Sequence, residues 1–295
     1  MKNIIVVTGG AGFVGSNLIS LLIKKTKYKI ISIDNYSTGS KKNHKQNKRI
    51  NYIKGNTKNI ATILKNKANK IKTIFHFGEF ARIYQSFLKM SECIDSNSVG
   101  SNAVFNFCLT NNIKLFYSAT SASLGNKGKD KNLSPYAFTK SKNLEMLENL
   151  KKWFDMKYEV VYFYNVYGEG QIKSGSMATV IGIFENQYKE NKALPVVRPG
   201  NQSRRFTHIK DTIEVCYLAW RRNKCKHYSI SSKKSYTIIE VAKLFKSKIK
   251  YLAPRAGERF ASALTNMNFS NPVHRHYGKI DLKDYIKNFI KTYKN

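Results

Sequence analysis

The sequence predicts an α/β protein built on a doubly wound parallel sheet. The chain begins with a β-branched run at residues 3–8, a glycine-containing turn, an amphipathic stretch at 12–25 and a second apolar run at 29–34. A similar alternation continues to residue 168. Strands that alternate with helices pair in parallel through right-handed crossovers, so this rhythm favours a sheet with helices on both faces.

The local patterns place each element. Short apolar runs rich in Val, Ile, Tyr and Phe are typical of strands buried in a parallel sheet, and they predict strands at residues 3–8, 29–34, 50–54, 73–77, 114–119 and 159–168. Amphipathic stretches predict helices at residues 12–25, 58–68, 91–110 and 136–153. Beyond residue 168 the alternation stops. We therefore predict a first domain of residues 1–168 and a smaller lid domain of residues 169–295, with some segments returning to the first sheet.

The composition is that of a globular chain with a strongly basic charge. Of 295 residues 42% are apolar, and 52 Lys and Arg against 18 Asp and Glu give a formal net charge of +34. Such a charge often indicates a nucleic-acid or anionic-membrane partner. Here the lysines are spread over nearly every segment, and no zinc-finger, homeodomain or RNA-binding motif accompanies them. We expect neither nucleic acid nor a membrane as partner.

The cysteines and the N-terminal residues indicate the compartment. Four cysteines without C-x-x-C spacing predict buried thiols in a reducing environment and no metal site: Cys93, Cys108, Cys216 and Cys225. The first residues lack the features of a signal peptide, and no run of about eighteen apolar residues occurs. We expect a cytoplasmic protein.

A glycine-rich turn follows the first predicted strand. Gly9, Gly12 and Gly15 stand where a tight turn, close approach to a pyrophosphate and helix-on-strand packing each need a small residue. The N–H groups at the start of the next helix are free to bind the anion. Asp34 ends the second strand, where its carboxylate can bind both ribose hydroxyls of adenosine and would repel a 2′-phosphate. These residues predict a Rossmann-type domain that binds NAD rather than NADP, although an ordinary turn is the simpler alternative.

Tyr136 and Lys140 stand four residues apart near the start of a predicted helix. This spacing places both side chains on one helix face. An ammonium beside a phenol lowers the pKa of the phenol, and the resulting phenolate can take a proton from a hydroxyl group near neutral pH. We expect Tyr136 to be a general base and Lys140 its activating cation. The alternative is a purely structural helix start.

These motifs are similar to those of a known superfamily. The segment Thr8-Gly9-Gly10-Ala11-Gly12-Phe13-Val14-Gly15 resembles the TGxxGxxG loop of the extended short-chain dehydrogenases/reductases, and residues 34–39 resemble their nucleotide-sugar epimerases. The resemblance covers nearly the whole chain. It implies Thr120 as the third catalytic residue beside Tyr136 and Lys140. It also implies the cofactor-binding residues Gly9, Gly12, Phe13, Val14, Gly15, Asp34, Asn35, Tyr136 and Lys140.

The resemblance extends to a substrate site with a diphosphate. Residues that match the family's phosphate- and ribose-binding positions are Asn165, Arg204, Arg255 and Glu258. Arginine suits this role because its planar guanidinium binds phosphate oxygens in pairs. Two residues in the segment HFGEFAR, Glu79 and Arg82, depart from the family pattern and have no assigned role.

The resemblance also indicates the reaction. Family dehydratases and decarboxylases carry carboxylates one or two positions after the catalytic threonine, whereas Ser121 and Ala122 follow Thr120 here. We therefore expect an NAD-dependent nucleotide-sugar 4-epimerase of the UDP-glucose/UDP-galactose type, which oxidises C4 transiently and returns the hydride, and we expect a homodimer. The alternatives are a nucleotide-sugar reductase or dehydratase of the same family, or a non-catalytic NAD-binding protein associated with nucleic acid.

Overall fold

The computed structural model describes residues 2–124, 131–255 and 273–294. Its strands are β1 (Ile4–Thr8), β2 (Lys29–Asp34), β3 (Ile50–Lys54), β4 (Ile71–His76), β5 (Lys114–Thr120), β6 (Tyr158–Phe163), β7 (Val166–Tyr167), β8 (Leu194–Val197), β9 (Ser203–Arg204), β10 (Thr207–His208), β11 (His227–Ser231), β12 (Tyr236–Thr237), β13 (Ile249–Leu252) and β14 (Val273–Tyr277).

The α-helices alternate with the strands through the first half of the chain. They are α1 (Phe13–Lys25), α2 (Ile60–Leu64), α3 (Ile83–Leu88), α4 (Met90–Ile94), α5 (Ser101–Thr110), α6 (Ser121–Leu124), α7 (Pro135–Phe154), α8 (Val180–Lys189), α9 (Ile209–Arg222), α10 (Ile238–Leu244) and α11 (Leu282–Lys294).

Eight strands form one parallel sheet in the order β14-β11-β6-β5-β4-β1-β2-β3. The fold class predicted from the sequence is confirmed. The chain runs outward from β1 to β3 and then crosses back to place β4 on the other side of β1. In sheets of this kind ligands bind beyond the carboxyl ends of the strands at this reversal.

Two hydrophobic layers cover the sheet because successive strand residues face opposite sides. From β1, Ile4 and Val6 pack with α2, α5 and α7, whereas Ile5 and Val7 pack with α1 and α9. A third cluster joins α8, β8, α10 and α11 away from the main sheet. Since α9, β11 and β14 belong to the main sheet and its layers, several segments after residue 168 return to it; the division into domains at residue 168 stays a prediction.

The structure corrects two predicted helices. Residues 58–68 form only a short α2 between 3₁₀ turns at Thr57–Asn59 and Lys65–Lys70. Residues 91–110 are interrupted by a π-helical turn, Asp95–Gly100. Such turns are frequent at functional sites. Here the buried Asn97 binds the backbone of Phe80, accepting its N–H at 2.6 Å and donating to its C=O at 3.0 Å.

The strand predicted at residues 159–168 ends early. β6 stops at Phe163, because Asn165 adopts a left-handed backbone conformation with φ of 38° that a strand cannot contain. The short β7 then pairs with β10 instead of continuing the sheet.

In the described ranges, no helix combines the length and the apolar composition needed to cross a lipid bilayer.

Candidate active site

A cavity of about 800 Å³ opens where the carboxyl ends of β1, β4 and β5 meet the third hydrophobic cluster. Its walls bring together every sequence-predicted site residue that the structure describes: Gly9, Gly12, Phe13, Val14, Gly15, Asp34, Asn35, Thr120, Tyr136, Lys140, Asn165, Arg204 and Arg255. Glu258 lies outside the described residues. Among the described residues, no group of three or more His, Cys, Asp or Glu side chains could hold a metal ion.

The glycine turn brings the start of α1 close to the end of β1. Gly9 has a φ of 68°, and a Cβ there would lie 2.7 Å from the carbonyl carbon of Phe77. A Cβ on Gly15 would overlap the carbonyl oxygen of Gly9. Gly12 caps α1 without a side chain, so the first N–H groups of the helix face the cavity unshielded. This cradle fits a pyrophosphate, which is stabilised by such N–H groups.

Asp34 lies at the end of β2 with its side chain almost fully buried. One carboxylate oxygen accepts the N–H of Ala11 at 2.9 Å and the other accepts the N–H of Tyr36 at 2.8 Å. Each oxygen retains a lone pair that can accept a further hydrogen bond. The carboxylate is therefore fixed to the glycine turn and can accept two ribose hydroxyls, so the donor and acceptor set fits NAD.

Tyr136 is held at the start of α7 by the local sequence. Ser134 caps the helix through its Oγ, which accepts the N–H of Ala137 at 3.1 Å, and Pro135 occupies the first turn. The backbone N–H of Tyr136 donates to Ser86 Oγ at 3.2 Å. The phenol is buried and hydrogen-bonds to Thr120 at the end of β5. The structure thus joins two of the three predicted catalytic side chains directly.

Burial raises the pKa of Tyr136 to about 12. The hydrogen bond with Thr120 lowers this pKa, Glu79 raises it and the guanidinium of Arg82 lowers it. The tyrosine is therefore a protonated phenol at neutral pH in this environment, and a nearby positive charge favours its ionised form.

Lys140 forms a buried ion pair in the cavity wall. Its ammonium forms a buried ion pair with Glu79, donates to the carbonyl oxygen of Ser118 at 2.6 Å and lies 4.6 Å from the centre of the Tyr117 ring. Desolvation lowers the pKa of Lys140 and Glu79 raises it. Thr120 and Arg82 also lower the pKa of Tyr136. The action of Lys140 on the phenol stays a prediction.

Glu79 is the centre of a buried network that sequence reasoning missed. Its Oε1 accepts hydrogen bonds from Ser101 Oγ at 2.9 Å, Tyr117 Oη at 3.0 Å and Asn143 Nδ2 at 3.2 Å. His76 continues the network through Ser101 at 2.9 Å, and burial lowers the pKa of this imidazole to about 4, so it is neutral. The only signal in the sequence was the departure of Glu79 from the family pattern.

Three of the residues predicted to bind substrate, Asn165, Arg204 and Arg255, line the cavity. Asn165 donates from Nδ2 to the carbonyl oxygen of Arg205 at 3.0 Å, and Arg204 donates from Nη1 to Ser203 O at 2.9 Å. The guanidinium of Arg255 lies 5.3 Å from the centre of the Tyr84 ring. These positions place two guanidinium groups within one cavity.

Comparison with known proteins identifies similar enzymes. Residues 5–231 match the model of the NAD dependent epimerase/dehydratase family. The chain is 26% identical to a putative UDP-glucose 4-epimerase from Methanocaldococcus jannaschii, over 99% of this chain and 98% of that protein. It is 30% identical to an ADP-L-glycero-D-manno-heptose-6-epimerase from Brachyspira hyodysenteriae, over 84% of each.

Two solved structures share the fold. UDP-glucose 4-epimerase from Thermotoga maritima with UDP-glucose superposes with a TM-score of 0.84 at 22% identity, covering 99% of this chain and 98% of that one. UDP-glucuronic acid 4-epimerase from Bacillus cereus, in complex with UDP-glucuronic acid and NAD, superposes with a TM-score of 0.83 at 22% identity. The match covers 99% of each chain.

Replacing Asp34 with alanine tests the cofactor site. The variant loses the carboxylate that can accept both ribose hydroxyls, so we expect the dissociation constant for NAD to rise by about tenfold or more, and that for NADP to change far less. Isothermal titration with each dinucleotide measures both constants, and the unfolding midpoint reports any loosening of the turn. Equal losses for the two dinucleotides would contradict the assignment.

Proposed function

The chain belongs to the NAD-dependent epimerase/dehydratase family, and we propose that it is a nucleotide-sugar 4-epimerase of the UDP-glucose/UDP-galactose type. The observation that carries the proposal is the hydrogen-bonded pair of Tyr136 and Thr120 in the cavity that also contains the glycine turn and Asp34. A proton acceptor, a dinucleotide cradle and arginines that can bind a diphosphate are the parts that reversible oxidation of a sugar hydroxyl requires.

The residues of the chain then have distinct tasks. Gly9, Gly12 and Gly15 hold the pyrophosphate of NAD and Asp34 binds its adenosine ribose. When bound, NAD supplies the reversible hydride chemistry at the carbon that carries the sugar hydroxyl. Tyr136 takes the proton of that hydroxyl and later returns it.

Thr120 holds the reacting hydroxyl group in place. Its own hydroxyl can donate to one oxygen while accepting from another, so it can bridge the substrate and the phenol of Tyr136. The bound sugar is thereby kept within reach of its base, which is the geometric condition for proton transfer.

The cavity wall supports an epimerase over a dehydratase. Ser121 and Ala122 line the cavity directly after Thr120, and neither can supply the carboxyl group that elimination needs as an acid and base. A 4-epimerase needs no such group, because the oxidised sugar only has to turn over while its diphosphate stays bound. We propose that Asn165, Arg204 and Arg255 hold that diphosphate and that Glu258 binds the ribose of the nucleotide.

We also propose that the protein is a homodimer. Helices α3, α4 and α7 pack against one another, and large apolar side chains on these helices are exposed: Phe87, Leu88, Met90, Ile94, Phe138, Met146, Trp153 and Phe154. A second copy of the chain that packs on these three helices would bury these side chains, and exposed apolar surface is typical of protein–protein interfaces.

A panel of UDP-, dTDP- and GDP-sugars tests the proposed reaction. We expect interconversion of UDP-glucose and UDP-galactose without added cofactor, and NAD that co-purifies with the protein, because an epimerase regenerates NAD in each cycle. A requirement for added NADH or NADPH would indicate a reductase, and a product inverted at C6 of a heptose would indicate the activity named in one of the relatives.

Tyr136→Phe is the matched variant for this assay. It keeps the ring and its packing but removes the proton acceptor, so turnover should fall by roughly 10²–10⁴ while NAD remains bound. In the parent enzyme the raised pKa of Tyr136 predicts that log kcat increases with pH by about 1 per pH unit between pH 7 and 9. A folded Tyr136→Phe protein with parental turnover would exclude the mechanism.

Arg204→Ala and Arg255→Ala test the diphosphate site. Each removes a charge-assisted contact worth about 1.5–3 kcal/mol, so KM for the nucleotide sugar should rise roughly 10- to 100-fold with a smaller change in kcat. Arg221→Ala, an exposed arginine in the last turn of α9, is the control for loss of one positive charge. If KM matches that of this control in both variants, the diphosphate binds elsewhere.

Light scattering coupled to size-exclusion chromatography tests the dimer. We expect twice the mass of one chain at micromolar concentration, and a monomer when Ile94→Lys and Met146→Lys place two charges on the apolar face. Tyr251→Lys changes an exposed aromatic residue on β13 and should leave the mass unchanged. A monomeric parent protein would contradict the proposal.

A further inference from the structure

We propose that the edge of the main sheet at which its strands begin, opposite the candidate active site, binds the phosphate backbone of a nucleic-acid strand. The surface is formed by exposed lysines, which we call the basic row: Lys2, Lys27, Lys70, Lys157, Lys224 and Lys226. This face is separate from the proposed epimerase site, and the inference does not depend on that function.

The topology of the sheet brings the basic row together. Because all eight strands are parallel, the segments that precede them lie at one edge. Each lysine of the row stands at most three residues before the start of β1, β2, β4, β6 or β11. The sequence-based expectation of no nucleic-acid partner rested on lysines that are spread along the chain. The fold gathers these lysines on one face.

Backbone hydrogen bonds fix the basic row in the order of the strands. The carbonyl oxygen of Lys157 accepts the N–H of Leu115 at 3.0 Å, and that of Lys70 accepts the N–H of Asn3 at 2.9 Å. Neighbouring strands lie about 4.8 Å apart, so the row extends over roughly 24 Å from β11 to β2. One strand of a duplex carries a phosphate about every 3.4 Å of its axis, so about seven phosphates fit along the row.

No carboxylate neutralises the basic row. In the parts of the chain that the structure describes, no Asp or Glu oxygen lies within 4.0 Å of these ammonium groups. Asp155 is the one acidic residue in the segments before β1–β6 and β11, which are residues 2–3, 26–28, 44–49, 65–70, 111–113, 155–157 and 223–226. The opposite edge, by contrast, carries Asp34, Glu79 and Glu169.

Three helices add positive charge to the same edge. Helices α1, α7 and α9 each end just before a strand of the main sheet, and their last turns are basic: Lys24, Lys25, Lys151, Lys152, Arg221 and Arg222. Lys25 is paired with Glu214. The dipole at the end of a helix corresponds to about half a negative charge, which is less than the positive charge that remains at each of these ends.

A nucleic acid fits this surface better than a lipid bilayer does. Stable attachment to a bilayer takes an apolar insertion or a lipid chain in addition to a polybasic patch. The segments that carry the basic row, all of them described, expose no large apolar side chain. Trp153 and Phe154, at the end of α7, belong to the face that we assign to the second copy of the chain. Binding to phosphates needs only the positive charge.

Fluorescence anisotropy with a labelled single-stranded RNA tests the proposal. The full chain is saturated with NAD so that the cofactor site is filled, and the RNA has about 12 nucleotides of mixed sequence, enough to span the row. We expect a Kd of about 1–100 µM at about 150 mM salt, the range of sequence-independent binding. A parent Kd above about 1 mM at this salt concentration would overturn the proposal.

A triple variant of the basic row carries Lys70→Gln, Lys157→Gln and Lys226→Gln. Loss of three phosphate contacts should raise Kd roughly 50-fold at about 150 mM salt and reduce the slope of log K against log salt by about 2. The matched control carries Lys243→Gln, Lys283→Gln and Lys287→Gln, which are exposed lysines of α10 and α11.

The control changes the net charge by the same amount as the triple variant of the basic row. Its Kd should stay within about threefold of the parent value, because only phosphates that contact the protein release counterions. Equal weakening in both triple variants would overturn the proposal, since the total charge of the protein would then account for binding.

Vesicles of phosphatidylcholine and phosphatidylserine in equal amounts distinguish a lipid surface. Co-sedimentation with these vesicles without binding of the RNA would overturn the proposal. The affinity of the row variant for NAD should match that of the parent, because the cofactor site lies at the opposite edge, and this reports correct folding. If the triple variant does not fold, the three single variants decide. Each should reduce the salt slope by about 0.7, and unchanged slopes in all three would overturn the proposal.

Discussion

The ion pair between Glu79 and Lys140 organises the centre of the site. Two opposite charges can be buried only when they are paired and their remaining hydrogen-bonding groups are satisfied. Glu79 meets this condition with partners from three elements, namely Ser101 at the start of α5, Tyr117 in β5, and Asn143 and Lys140 in α7. The pair therefore joins the strand that ends in Thr120 to the helix that carries Tyr136.

The parallel sheet provides the frame on which these groups meet. Thr120 ends β5, Asp34 ends β2 and the glycine turn follows β1, so three strands deliver their functional residues to the same edge. The reversal of strand order between β1 and β4 opens a crevice at that edge. The catalytic residues and the cofactor site are therefore neighbours because of the strand order of the sheet, although these residues are far apart in the chain.

Sequence patterns predicted the features of the molecule that are determined within a short segment of the chain. The first six strands, the glycine turn and the Tyr136–Lys140 spacing each lie within one short segment, and their periodicity or spacing is visible there. The contact between Glu79 and Lys140 joins residues 61 positions apart, and no local pattern indicates it. The π-helical turn is equally hidden, because the hydrogen bonds of its Asn97 join it to Phe80, 17 positions earlier in the chain.

The eight-stranded sheet cannot be completed until residue 277 has been synthesised, because β11 and β14 form one edge of it. Until β11 emerges, β6 exposes the backbone edge to which β11 will bind, beside buried side chains such as Val160 and Val161. Such an open apolar edge is a template for pairing with other chains. At about 5–20 residues per second, the interval between residues 163 and 227 lasts roughly 3–13 s. The nascent chain therefore exposes this strand edge while residues 164–227 are synthesised, and a chaperone that covers strand edges would protect it during that period.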